Sequence, residues 1–320
     1  METGKQVIQP SSSATKPAVR IATAARRSAN SAGQIALIAV LAALAAAFLF
    51  PLALTFTNSF MSAAEISDNY AALSASLSDS SGPSSDGSAY VNLKWIPDIA
   101  TLSQYYSVLV KQPQYLFMFW NSVNIVLPII AGQIAVASLA GYAFSFLRFR
   151  FREPLFFTYI VTMLMPFQVT LVPNFIVADK LGLLNSHLAI ILPGIFNAFG
   201  VFLLRQFMMF IPVSYIEAAR VDGASHLFIF AKIVMPMCRS GIAALAILVF
   251  VDNWNMVEQP LVFLRDAIKQ PLSVYLSVID EAALGIAFAA SALYMIPLIL
   301  VALYAEKDLV EGIQLSGIKG

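Results

Sequence analysis

Runs of uncharged, apolar residues too long for the core of a soluble domain decide what this chain can fold into. A bilayer core about 30 Å thick is crossed by about 20 apolar residues in helical form. Residues 35–54 meet that without a single charge. The uncharged stretch 112–147 holds a second span, starting near Tyr115 and longer than the minimum, so that it tilts or projects from the bilayer. Residues 155–178, 188–204 and 282–305 supply three more. Residues 241–251 are apolar but short, and run straight into Asp252, Asn253, Trp254 and Asn255. Polar residues at membrane depth are tolerated where they face protein or a water-filled path, so this stretch, extended at both ends, counts as a sixth span. The spacing predicts an all-α polytopic membrane protein.

Composition agrees: 59% of the 320 residues are hydrophobic and only 12% are charged, far from the soluble norm. A net charge of +1 gives no argument for nucleic acid. The single cysteine, Cys238, and the isolated His187 and His226 supply no metal-ligand set and no nucleophile–base pair. No metal, no catalytic residue and no resident cofactor are expected, and no glycine-rich phosphate loop is present for ATP hydrolysis.

Basic residues set the orientation. With the N-terminus inside, fourteen of the nineteen lysines and arginines fall on the cytoplasmic side, leaving Lys94, Lys111, Lys180, Arg265 and Lys269 outside. By the positive-inside rule both termini are cytoplasmic. The organisation that follows is a disordered Ser/Ala-rich tail over 1–33, a first span over 34–58, and an outer loop over 59–111 with a mobile serine-rich insert at 74–88. A five-helix core occupies 112–305, with a cytoplasmic loop at 210–237, and a cytoplasmic tail covers 306–320. The first span is a retained anchor, because it exceeds a signal-peptide h-region and no cleavage pattern follows it closely.

The loop at 210–237 carries the most specific pattern. It contains Glu217-Ala218-Ala219, three residues, Gly223, nine residues, then Ile233-Val234-Met235-Pro236. Ser214 to Glu217 fits a capping box, with Ser214 as N-cap and Glu217 reaching back to its amide. Arg220, one turn on, is placed to pair with Glu217. Gly223 permits a left-handed turn. A short amphipathic helix followed by a glycine turn suits either an ordinary interhelical connection or a docking element for a soluble partner.

That spacing resembles the EAA loop of binding-protein-dependent ABC importer permeases, with Met235 in a leucine slot. The resemblance extends through residues 121–153, 163–193, 202–225 and 312–320 to the MalG-type permease subunit of carbohydrate importers. It implies a type I ABC importer permease fold of six transmembrane helices. It also implies a coupling helix, formed by Glu217, Ala218, Ala219, Arg220, Asp222 and Gly223 and closed by Pro236, that seats in a cytoplasmic ATPase. The C-terminal Ser316, Gly317, Lys319 and Gly320 would touch the same ATPase. The implied partners are a second, MalF-type permease, two ATPase copies that bind ATP and Mg, an extracytoplasmic solute-binding protein and a carbohydrate. The implied location is a bacterial or archaeal plasma (inner) membrane.

Polar residues in the spans have two readings. Asn121, Gln168, Asn197, Asn253 and Asn255, with Trp254 as an aromatic face, could line a sugar path; interhelical hydrogen bonding is the commoner role for each. The outer segment 258–274 matches the loop that in relatives probes the docked binding protein, or is a plain surface loop. An ion-coupled secondary transporter is the alternative to an ABC permease. Such proteins place ionisable residues at mid-membrane, and here Asp252, near a span end, is the sole candidate.

Overall fold

The computed structural model describes residues 16–78, 94–278 and 283–317, with side chains over 33–70, 94–278 and 283–304. Every regular element among the described residues is helical. Residues 1–55 and 56–320 form separate compact units. Helix α1 (Lys16–Asn58) is continuous. Its alanine-rich sequence has high helix propensity, so helix begins at Lys16, well inside the stretch that composition assigns to a disordered tail. From Gly33 onward it is long and apolar enough to cross a membrane, and residues 33–53 are all exposed.

In the second unit, α2 (Ala63–Ser78) occupies part of the expected outer loop. The Ser62 hydroxyl accepts from the Glu65 amide at 3.2 Å and caps its first turn. The serine-rich segment is therefore helical from 74 to 78, and its remainder to residue 88 lies outside the described residues. Lys94 pairs with Glu65 at 3.1 Å and with Asp98, and the Asp98 amide donates to Glu65 at 2.9 Å. These contacts fasten the return of the chain to the start of α2.

Apart from short helical turns at Ser103–Tyr106, Ser107–Lys111 and Ala267–Lys269, the remaining helices are α3 (Pro113–Phe146), α4 (Arg152–Met163), α5 (Phe167–Lys180), α6 (Leu188–Ile195), α7 (Ala198–Met209), α8 (Val213–Val221), α9 (His226–Met237), α10 (Arg239–Trp254), α11 (Glu258–Phe263), α12 (Leu272–Ser277) and α13 (Leu284–Gly317). Four helical stretches among the described residues are individually long and apolar enough to cross a membrane, and two bent pairs raise this to as many as six. The expected third span is not straight: α4 and α5 meet at 101°. Pro166 causes the break, since it has no N–H and its ψ of 141° takes the backbone out of the helix. The expected fifth span likewise joins α9 to α10 at 74°. The stretch from Leu188 to Met209 is interrupted at Phe196–Asn197, where Asn197 turns extended and its Oδ1 accepts from the Phe199 amide at 2.9 Å. The last span is α13; its expected first residue, Ala282, lies outside the described residues.

The core forms around α3, which packs most extensively on α7. Small residues make this possible, as they do generally between membrane helices. A Cβ added to Gly200 would lie 3.0 Å from the Ala137 Cβ and 2.9 Å from the Gln133 Nε2. Ile125, Ile129, Leu204, Met208 and Leu245 fill the space on either side and are fully buried. With α3 and α7 locked, α10 lies against both and against α13.

Candidate functional site

The segment from α8 to α9 forms the first site. Pro212, not Ser214, caps α8; its ψ of 129° starts the helix at Val213, and no side chain bonds to the first-turn amides. Proline with a fixed φ nucleates the helix two residues ahead of the expected cap, so the capping box does not form. Glu217 is therefore exposed and free of any capping duty. Ile216 is buried against the core, Ala219 is half-buried, and Ala218, Arg220 and Asp222 face outward. The exposed side also carries apolar groups, with Val221 88% and Leu227 73% accessible.

The helix ends in a Schellman turn. The Gly223 amide donates to the Arg220 carbonyl at 3.0 Å and the Ala224 amide to the Ala219 carbonyl at 2.9 Å. Gly223 has φ +81°, the left-handed conformation expected for it. The Ser225 hydroxyl then accepts from the Phe228 amide at 3.3 Å and starts α9. A π-turn over Phe230–Val234 precedes Pro236, and the chain bends at Cys238 into α10.

Arg220 does not pair with Glu217. Its Nη2 lies 3.0 Å from the His226 Nε2, and the His226 Nδ1 lies 3.2 Å from the Tyr142 hydroxyl. Tyr142 sits near the end of α3 and packs edge-on against Phe230 of α9. His226 thus joins α8 to α3. Nothing in its local sequence signals this, because Tyr142 is 84 positions away.

The second site is a cavity of about 730 Å³, within the ~300–1,000 Å³ usual for small-molecule sites. It opens where three spans lose their regularity. Phe167, Thr170 and Asn174 come from α5 just after the Pro166 bend, and Pro193, Gly194 and Asn197 from the break between α6 and α7. Asp252, Asn253 and Asn255 from the end of α10, with Glu258 and Gln259 opening α11, complete it. Irregular backbone at membrane depth is found where it lines such a cavity. Of the residues expected along a sugar path, Asn197, Asn253 and Asn255 line it, and Gln168 donates to Glu258 at 3.3 Å on its rim. Phe167, Thr170, Glu258 and Gln259 were missed; only their nearness to Pro166 and to the Asp252–Asn255 cluster could have pointed to them.

Asn121 and Trp254 lie elsewhere. The Asn121 amide donates to the Ile268 and Gln270 carbonyls at 2.7 and 3.1 Å, fastening the segment after α11 to α3. Trp254 is buried between Phe119, Phe250 and Tyr294, and its Nε1 has no partner among the described residues. The same segment is held by Asn185, whose Nδ2 donates to Asp266 at 2.7 Å and whose carbonyl accepts from Lys269 at 3.1 Å. The Asn185 amide and then Lys269 hold the Asp266 carboxyl below its ordinary range. Ser316 and Gly317 end α13, where only backbone is described; Lys319 and Gly320 lie outside the described residues.

Residues 133–309 match the family described as binding-protein-dependent transport system inner membrane component. The chain belongs to that family. Among curated relatives, this permease is 35% identical over 198 residues to the lactose transport system permease LacG of Rhizobium radiobacter, covering 61% of this chain and 72% of the relative. It is 29% identical over 233 residues to the arabinooligosaccharide permease AraQ of Halalkalibacterium halodurans, covering 72% and 84%. It is 34% identical over 157 residues to the sn-glycerol-3-phosphate permease UgpE of Salmonella typhi, covering 49% and 56%. In fold it is similar to a bacterial ABC transporter involved in the import of the acidic polysaccharide alginate, with a TM-score of 0.71, 24% identity, and coverage of 87% of this chain and 97% of that one. The permease is a transport subunit of an ABC importer, and none of these relatives supports ion coupling.

Proposed function

We propose that the permease forms half of the translocation path of an ATP-driven importer for a sugar or oligosaccharide and is driven through the loop between α8 and α9. Lactose and arabinooligosaccharide permeases among its relatives support the carbohydrate class. The observation that carries the coupling role is the exposed face of α8, where Glu217 is freed from capping and Val221 stands uncovered, with Leu227 exposed in the helix that follows. A polar helix start ringed by exposed apolar groups suits a seat in a soluble protein, and the half-buried Ala219 lets that helix lie close. The partners in this reading are a second, MalF-type permease, two cytoplasmic ATPase subunits that bind ATP and Mg, and an extracytoplasmic binding protein. Glu217, Ala218, Ala219, Arg220, Asp222 and Gly223 make the seat, Pro236 bends the return, and Ser316, Gly317, Lys319 and Gly320 meet the same ATPase. The mechanism is alternating access: ATP closes the ATPase pair, α8 moves with it, and the spans open toward the loaded binding protein. Both termini and this loop face the cytoplasm of a bacterial or archaeal cell.

The test is reconstitution of the four-part complex in proteoliposomes. Sugar uptake should require ATP, the binding protein and an intact α8, and should stop with vanadate. Uptake driven by an ion gradient without ATP would overturn the reading. Orientation is checked in a Cys238→Ser background, where a cysteine at Ala267 should react with an impermeant thiol reagent in intact cells and one at Ser225 should not.

A further inference from the structure

The polar cavity contains two carboxylates, Asp252 and Glu258, and none of its fourteen lining residues is lysine, arginine or histidine. Its formal charge is therefore negative throughout. One N–H of Asn253 and one of Asn255 donate back along the helix to the Val249 and Val251 carbonyls, at 2.8 and 2.7 Å. The Asn253 Oδ1 accepts no hydrogen bond among the described residues, while the Asn255 Oδ1 accepts from the Tyr294 hydroxyl at 2.8 Å. Asp252 has no hydrogen bond or ion pair among the described residues, and Glu258 is engaged at only one oxygen, by Gln168. Ionised carboxylates only accept, so Asp252 and the second oxygen of Glu258 call for donors from a ligand.

We propose that this cavity selects uncharged, hydroxyl-rich glycans and excludes phosphorylated or uronic ones, an inference that rests on the carbohydrate-permease reading above. A sugar hydroxyl donates as well as accepts, so it satisfies Asp252, Glu258 and the Asn253 Oδ1 directly. A phosphate or uronate adds further negative charge to a carboxylate pair that no lysine, arginine or histidine in the lining offsets. Such repulsion without a compensating cation is how a site rejects one ligand while taking a close relative. Phe167, Met256 and Val257 add apolar surface for the C–H face of a sugar ring. The chemistry therefore divides this permease from carriers of anionic glycans by charge, not by size.

The experiment uses the full complex in proteoliposomes with its own binding protein. Probes are paired glycans, each uncharged mono- or oligosaccharide beside its 6-phosphate and its uronic acid. ATP-dependent uptake is expected for an uncharged member, with its charged counterparts at least ten-fold slower. In Glu258→Lys and Asp252→Asn/Glu258→Gln, uptake of the uncharged sugar should fall while ATPase copurification holds. ATP-dependent uptake of a phosphorylated or uronic glycan in preference to its uncharged partner would overturn the charge rule and leave the carbohydrate reading intact. Unchanged uptake in the double variant would overturn it as well. Failure of every glycan to be taken up in an ATP-dependent way would remove the carbohydrate reading and this inference with it.

Discussion

Arg220 Nη2 lies 3.0 Å from His226 Nε2. A guanidinium can only donate, so this ring nitrogen accepts, and the neutral ring carries its proton on Nδ1, which donates to the Tyr142 hydroxyl. The direction of the chain is thereby set: Arg220 on α8 to His226 on α9 to Tyr142 on α3. Replacing His226 by phenylalanine keeps the edge-on ring contact with Tyr142 but removes both bonds. The variant should insert and hold its ATPase, yet transport less sugar per ATP. A loss of about 1 kcal/mol, roughly five-fold in coupling, is expected from the bonds alone. His226→Gln should recover part of it. An unchanged sugar-to-ATP ratio in the phenylalanine variant would show that the contact is only structural.

Glu217 has no capping role to preserve. Its removal should therefore leave the stability of α8 nearly unchanged, and any effect should be read in docking. Glu217→Gln is expected to weaken ATPase copurification modestly, since a charge-assisted hydrogen bond is about twice as strong as a neutral one. Glu217→Lys should reach the membrane, lose transport, and be partly rescued by an acidic substitution in the ATPase cleft. Normal transport by the lysine variant would remove Glu217 from the coupling surface.

Gly223 stands in open space, so backbone conformation alone limits what replaces it. At φ +81° an alanine costs on the order of 1–2 kcal/mol, while asparagine visits the left-handed region more readily. ATPase recovery should rank glycine above asparagine, then alanine, with proline worst because it also deletes the amide bonded to the Arg220 carbonyl. Equal recovery across the series would mean that the turn geometry does not matter for docking.

Asp266 gives a pH dependence of known sign. Its carboxyl is depressed in the folded chain, by the Asn185 amide first and by Lys269 second. Its contribution is therefore fully present above the ordinary aspartate value of about 3.9 and is lost as pH falls through the lower folded value. Hydrogen exchange of residues 264–271 should be level from pH 7 to pH 5 once corrected for intrinsic rates, and rise only below about pH 4. Asp266→Asn should abolish that rise. A transition near neutral pH would assign the holding of this segment to another group.

Hydropathy found the spans because membrane solvent acts on composition averaged over some twenty residues. It could not find their direction. Pro166 sits in an unbroken apolar run, and only the meeting of α4 and α5 at 101° shows that the run turns a corner. The docking loop was visible because its spacing is local, and the left-handed Gly223 follows from that spacing. Its cap was misplaced because Pro212 and Ser214 are both able to start a helix, and the fixed φ of Pro212 starts it two residues earlier. The polar residues were visible as a set but not as a site. Asn197 and Asn253 share a cavity, whereas Asn121 reaches a loop 147 residues away and Trp254 is walled in by rings. Side-chain partners so distant in sequence are decided by tertiary packing alone.

Helix α3 bears both of the attachments described above, Asn121 near one end and Tyr142 near the other. At ~1.5 Å per residue they stand roughly 30 Å apart, about the thickness of the hydrocarbon core. Proline at 128 does not interrupt the helix between them. One uninterrupted helix therefore links the segment after α11 to His226, and no loop lies between the two attachments.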